Sequence, residues 1–199
     1  MILPLSLPDK PIILASGSPR RAELLKKIGL NFTIRPSAVN ENNIPLLSPA
    51  EYVVELARRK AKAVAANVAR GILIGADTIV VLGHNILGKP TSEVEACDML
   101  RQLSGKTHRV FTGLALIDRP SNRETSAVEM TEVTFRHLAD DEIAAYVRSG
   151  EAMDKAGAYG IQDASAVFAE KINGCFYNVV GFPLTRFYVT IRSFYESRC

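Results

Sequence analysis

Six consecutive residues, Ser16-Gly17-Ser18-Pro19-Arg20-Arg21, combine two hydroxyls, a glycine and two guanidinium groups directly after an apolar run at 11–15. If the run is a strand and the arginines open a helix, their junction aims backbone N–H groups and a helix dipole at one spot, which is how phosphate is bound. Arginine adds paired hydrogen bonds to phosphate oxygens. A capped helix with solvated arginines explains the same residues, so the segment gains meaning only from what accompanies it.

Asp77 lies between the apolar triplets 72–74 and 79–81. Aspartate is disfavoured in strands and in cores, and a buried carboxylate left alone is so costly that it must meet a cation, a metal or water. A structural ion pair satisfies that requirement as well as catalysis does. Lys60 supplies a partner. At ~100° per residue Val53, Leu56, Ala57 and Val64 share one stripe of a helix; Lys60 falls inside it, whereas Arg58, Arg59 and Lys62 fall outside. The bland alternative is a lysine stem covering the core edge. Lys89 sits between Gly88 and Pro90, which keeps it extended and lets it project beside Asp77 from a neighbouring strand. Lys155 and Gln162 flank a Gly- and Ala-rich stretch at 154–162; there backbone can approach a ligand and Gln162 can hydrogen-bond a base edge, unless the stretch is a plain surface connection.

The elements that must hold these residues follow from pattern. Ser18 suits the N-cap of a first helix, with Pro19 at its first position and Gly29 beyond its end. This leaves the 16–19 loop with unpaired backbone N–H groups. Residues 31–36 suit a strand. Ser48-Pro49-Ala50-Glu51 is a capping box that opens a helix to about Ala69. A strand at 72–83 turns through Gly83-His84-Asn85 into a hairpin. A helix from Thr91 or Ser92 runs to Ser104 and stops at Gly105. Extended stretches at 107–118 and 123–135 form an antiparallel pair, and a helix at 140–149 ends at Gly150. Two strands about Asn173-Gly174 suit a type I′ hairpin, and Pro183 opens a last helix. The sum is an α/β protein with a mixed twisted sheet flanked by helices.

Composition bounds the class. The 199 residues are 47% hydrophobic and 23% charged, with a mean hydropathy of +0.08, and no repeat is visible; one domain, or one with two lobes, is expected. The N-terminus has prolines and Asp9 where a signal peptide needs a continuous apolar core, and no run approaches the ~18 apolar residues of a membrane span. Neither export nor a membrane is expected. A net charge of +3 is too small for a surface that binds nucleic-acid polymers, while basic residues bunched at 20–27 and 58–62 suit a small anion. Cys97, Cys175 and Cys199 are odd in number and far apart, which excludes a disulfide framework and a structural zinc site and favours the reducing cytoplasm. His84, His108 and His137 lack metal-pair spacing and read as surface or strand-end residues.

Taken together ASGSPRR (15–21), GADTIVV (75–81), GKP (88–90), SGKTHRVFTGLAL (104–116), DKAGAYGIQ (154–162) and NVVGFPL (178–184) resemble the Maf family of nucleoside triphosphate pyrophosphatases, in family order across nearly the whole chain. DKAGAYGIQ resembles the branch acting on dTTP and UTP. The resemblance implies one Maf/ITPase-like domain over 1–199 with two lobes and a deep cleft, hydrolysis of a nucleoside triphosphate to monophosphate and pyrophosphate, a Mg²⁺ or Mn²⁺ cofactor, and commonly a homodimer. It assigns the catalytic proton acceptor to Asp77, substrate choice to Arg20, Thr78 and Gln162, the polar cleft to Ser16, Arg21, Lys60 and Lys89, and metal assistance to Glu41 beside Asp77. A nucleotide-binding regulator of septum formation and a pyrophosphatase for modified purine nucleotides are the alternatives. After Gln162 the family continues with glycine, whereas this chain has Asp163, which would alter the loop or add negative charge near the base.

Overall fold

A computed structural model describes residues 7–39 and 47–196. Seven strands form one mixed sheet: β1 (Ile12–Leu14), β2 (Thr33–Ile34), β3 (Gly71–Leu82), β4 (Asn85–Leu87), β5 (Thr107–Arg119), β6 (Arg123–Phe135) and β7 (Ala169–Asn173). Their order is β2-β1-β3-β5-β6-β7, with β4 paired to β3. The pairs β1–β2 and β1–β3 are parallel, and β3–β4 and β6–β7 are antiparallel. The helices are α1 (Pro19–Lys27), α2 (Pro49–Ala65), α3 (Glu93–Leu103), α4 (Asp140–Arg148), α5 (Phe176–Val180) and α6 (Leu184–Glu196).

The chain divides into two compact units. The first comprises Met1–Asp77, Thr112–Glu129 and Gly181–Cys199; the second comprises Thr78–Phe111 and Met130–Val180. The core of the first holds Ile13, Ala15, Ala57, Ala61, Leu73 and Ala115. That of the second includes Leu100, Leu103, Val133, Phe135 and Ile143. No helix among the described residues is long and apolar enough to cross a membrane.

Most local expectations hold, for the reasons that suggested them. Ser48 and Glu51 form the capping box of α2, Ser92 accepts from the Glu95 N–H at the start of α3, and Gly29, Gly105 and Gly150 take positive φ where their helices stop. Helix α2 ends at Ala65, four residues earlier than its composition suggests, in a turn where the Val68 N–H donates to Ala65 O. The hairpin about Asn173-Gly174 is not formed. β7 pairs with β6, and the residues after Gly174 turn into α5, because the Cys175 N–H donates to Thr131 Oγ at 3.0 Å and Thr131 Oγ lies 3.1 Å from Cys175 O. Side-chain capture of Cys175 replaces a second strand. His108 stands at a strand end as read, yet only 1% of it is exposed. Its ring meets Phe135 and Tyr159 edge-on, with Nε2 2.8 Å from the Tyr159 hydroxyl.

What positions α2, the helix that carries Lys60, is a pair of glycines. A Cβ on Gly75 in β3 would stand 2.1 Å from Ala57 O, and one on Gly113 in β5 would stand 2.3 Å from Val53 O. Helix α2 therefore lies with its backbone against two strands, which only glycine permits. A Gly75→Ala variant should lose about 1–3 kcal/mol through this overpacking, whereas Gly88→Ala, whose Cβ would meet nothing within 4 Å, should stay within ~0.5 kcal/mol; urea denaturation midpoints compare the two.

Burial pushes the His108 imidazole from its ordinary 6.5 down to about 4. As pH falls from 6.5 towards 4 the unfolded chain takes up a proton that the folded chain refuses, so stability is lost across that window, by up to about 3 kcal/mol. A His108→Gln variant keeps an amide beside Tyr159 and does not titrate. Its stability should fall less than that of wild type between pH 7 and pH 4.5, and parallel pH profiles would show that His108 is not the group responsible.

Candidate active site

Within the first unit, Lys60 and Asp77 form an ion pair, Nζ to Oδ1 2.6 Å. Their side chains are 14% and 10% exposed. Helical phase explains why it is Lys60. Val53, Leu56, Ala57, Ala61 and Val64 are the buried face of α2, and Lys60 follows Leu56 by one turn. Its neighbours look outward. Arg59 pairs with Glu55 at 2.8 Å, and Arg58 and Lys62 reach Glu124 at 3.7 and 3.0 Å, with Lys62 55% exposed. The basic bunch at 58–62 is thus an ion-paired outer face with one inward cation.

The 16–21 segment closes onto the same strand. Ser16 is buried and ends β1's extension, while Arg20 is half-buried in the first turn of α1. The loop's N–H groups are not all open, contrary to expectation: the Ser18 N–H donates to Ser16 Oγ at 3.3 Å, and Ser18 itself makes no side-chain cap. Arg21, which the resemblance places in the polar cleft, donates from Nη1 to Ser16 Oγ at 3.0 Å and to Ala76 O at 2.9 Å, and from Nε to Gly181 O at 3.0 Å. The guanidinium ties the serine of the loop to the residue before Asp77 and to the glycine of the NVVG segment. Sequence reasoning missed this structural use, since the acceptor is the backbone carbonyl of Gly181, which no side chain announces.

A second buried carboxylate in this unit sharpens the contrast. Asp118 is fully buried; burial alone would raise its pKa, but hydrogen bonds from Lys10, Ser121 and Tyr195 outweigh it and hold the carboxyl below its usual range. Asp118 is a closed structural ion pair. Asp77 keeps part of its surface and borders the Ser16–Arg21 segment through Ala76.

The remaining candidates fall in the second unit. Thr78 is half-buried in β3, and Lys89 and Gln162 are exposed. The DKAG stretch is tied to the GKP stretch, the Gly157 N–H donating to Gly88 O at 2.9 Å. Lys155 turns to Asp163 at 3.2 Å and Asp154 at 2.9 Å. Asp163 does not present bare charge, since Tyr146, Ser165 and Lys155 surround it. Glu41 lies outside the described residues.

Among the described residues no three His, Cys, Asp or Glu side chains converge as a metal cage. A Mg²⁺-type ion needs no such cage, since it takes one or two carboxylates and completes its shell with water and phosphate oxygens, and a single carboxylate such as Asp77 is compatible with that.

A family model described as Maf-like protein matches residues 11–194. The chain belongs to the Maf-like family. Its relatives include proteins named dTTP/UTP pyrophosphatase from Desulforamulus reducens, 49% identical over 93% of this chain and 97% of that protein. Those from Carboxydothermus hydrogenoformans and Bacillus cereus carry the same name. The first is 50% identical over 91% of this chain and 97% of its own length, and the second 49% over 93% and 90%. The Ham1 protein of Staphylococcus aureus matches with a TM-score of 0.52 at 14% identity, covering 96% of this chain and all of that one. This likeness is one of fold, and it bears out the mixed α/β sheet flanked by helices.

The helical-face argument has a direct check in stability. Lys60→Ala removes the ammonium 2.6 Å from a buried carboxylate and should cost about 3–5 kcal/mol, whereas Lys62→Ala at the exposed pair should cost under ~1 kcal/mol. Equal losses in urea denaturation would contradict the placement of Lys60.

Proposed function

We propose that this protein is a nucleoside triphosphate pyrophosphatase that hydrolyses dTTP and UTP to the monophosphate and pyrophosphate. Relatives of that name align over almost their whole length at about half identity. The observation that carries the reading is the Lys60–Asp77 pair beside the Ser16–Arg21 segment, since a carboxylate and an inward cation there stand next to a helix start of the kind that receives phosphate.

In this reading water attacks the α-phosphorus and pyrophosphate leaves. Asp77 orients the attacking water or takes its proton. Lys60, paired with Asp77, offsets repulsion from the phosphates; two like charges ~4 Å apart repel by about 4 kcal/mol at an effective dielectric of 20. Arg20, Ser16 and the start of α1 receive phosphate oxygens, and Arg21 holds Ser16 and the Ala76 carbonyl in place for them. Lys89 contributes a second cation. Thr78 and Gln162 set nucleotide choice, Gln162 by hydrogen bonds to the base edge. A divalent cation held by Asp77 and the triphosphate, with Glu41 assisting, would neutralise developing charge on the phosphate oxygens.

The test is pyrophosphate release from a panel of canonical and modified nucleoside triphosphates with Mg²⁺ or Mn²⁺. Wild type should prefer dTTP and UTP, and Asp77→Asn, shown folded by circular dichroism, should be slower by ~10²–10⁴-fold. A folded Asp77→Asn at full rate removes Asp77 from the chemistry, and a wild type that releases no pyrophosphate removes the reaction.

A further inference from the structure

In the second unit the stretch that carries Gln162 is held by a half-buried polar knot centred on Asp163. The Asp163 carboxylate accepts from the Ser165 N–H at 2.9 Å and from the Tyr146 hydroxyl at 3.2–3.3 Å, and it pairs with Lys155 at 3.2 Å. Ser165 is fully buried. Its Oγ lies 2.7 Å from Asp163 Oδ1 and 2.8 Å from Gly160 O and accepts from the Gly160 N–H at 3.0 Å. Both ends of the 155–165 segment are thereby locked: Lys155 at its entry, Ser165 at its exit, and the Gly160 peptide between them.

The knot leaves no room above Gly160. A Cβ there would stand 2.4 Å from Asp163 Oδ2 and 2.6 Å from Lys155 Cε, so the ion pair crosses directly over the glycine. Gln162, one residue before Asp163, is exposed while Asp163 turns inward. The conformation that turns the carboxylate to its partners is the one that presents the amide.

We infer that Asp163 is a positioning residue for nucleotide selection: through Lys155, Ser165 and Tyr146 it fixes the loop so that Gln162 is offered in one orientation. This rests on the reading of Gln162 as the base-contacting residue. Where a glycine followed Gln162 the same loop would have no carboxylate to anchor it. The physical basis is pre-organisation, because an amide that must be ordered at binding gives up part of its discrimination.

The experiment combines nucleotide kinetics with hydrogen–deuterium exchange on the full-length protein, for wild type, Asp163→Ala and Tyr146→Phe. Asp163→Ala should raise KM for dTTP and UTP by about tenfold, narrow the preference over purine triphosphates, and leave kcat at saturation within about twofold. Deuterium uptake should rise at 155–165 and not elsewhere. Tyr146→Phe, which removes only the hydroxyl, should show the same pattern more weakly and decides the matter if Asp163→Ala does not fold. A purely structural knot would lower the active fraction for every nucleotide equally at unchanged KM and would raise exchange throughout the second unit; that outcome overturns the inference, as does local loosening with unchanged selectivity. If wild type hydrolyses no nucleoside triphosphate, the pyrophosphatase reading fails by itself, and unchanged exchange at 155–165 in both variants then overturns the anchoring.

Discussion

The close seating of α2 on the sheet is the constraint from which the first unit's chemistry follows. Because Gly75 and Gly113 have no Cβ, the carbonyls of Ala57 and Val53 come down onto β3 and β5. The same helix face then brings Lys60, one turn past Leu56, within 2.6 Å of Asp77, two residues past Gly75. A wider separation would strand the carboxylate. Breaking such a pair costs far more than forming it stabilises, so glycines, alanines and ion pair are mutually required.

Arg21 shows how the Ser16–Arg21 segment is drawn into that arrangement. One guanidinium reaches Ser16, Ala76 and Gly181, three points far apart in sequence. Its rigid planar fork suits this better than a lysine, whose ammonium carries its three donors on one atom and cannot span such separated acceptors. Adjacent arginines therefore do different work: Arg21 is turned into the unit, and Arg20 stands half-buried in the helix's first turn. Two basic residues in a row look equivalent as sequence because helical phase separates them by ~100° only once the helix axis is known.

How far the sequence carries depends on the range of the forces involved. Helix starts at Ser48 and Ser92 and stops at Gly29 and Gly150 are decided by a few neighbouring residues, and they stand as read. The inward turn of Lys60 was legible because a 17-residue helix gives the phase enough residues to register. The Asn173-Gly174 hairpin was misread because Thr131, 44 residues away, captures Cys175; no local pattern contains that contact. Burial of His108 was hidden likewise, since it depends on Phe135 and Tyr159 meeting at its ring. Gly75 and Gly113 did carry a signal, an isolated glycine within a strand marking close approach, but the approaching partner is not written beside them.

Asp163 illustrates a different limit. As a sequence feature it is a negative charge after Gln162, which reads as electrostatics near the base. In the fold the charge is answered by Lys155 and two hydroxyl-bearing side chains, so its consequence is conformational. Charge on paper becomes geometry once a cation lies 3.2 Å away, because the field of a paired carboxylate falls off steeply while its hydrogen bonds still dictate where the backbone runs. The residues proposed for chemistry and the one proposed for selectivity thus differ in how they are held: Asp77 and Lys60 by a strand and a long helix, Gln162 by a short loop with a few polar contacts. Drift in nucleotide preference is therefore expected to arise at such contacts, where a single substitution reorients the loop and leaves the ion pair of the first unit untouched.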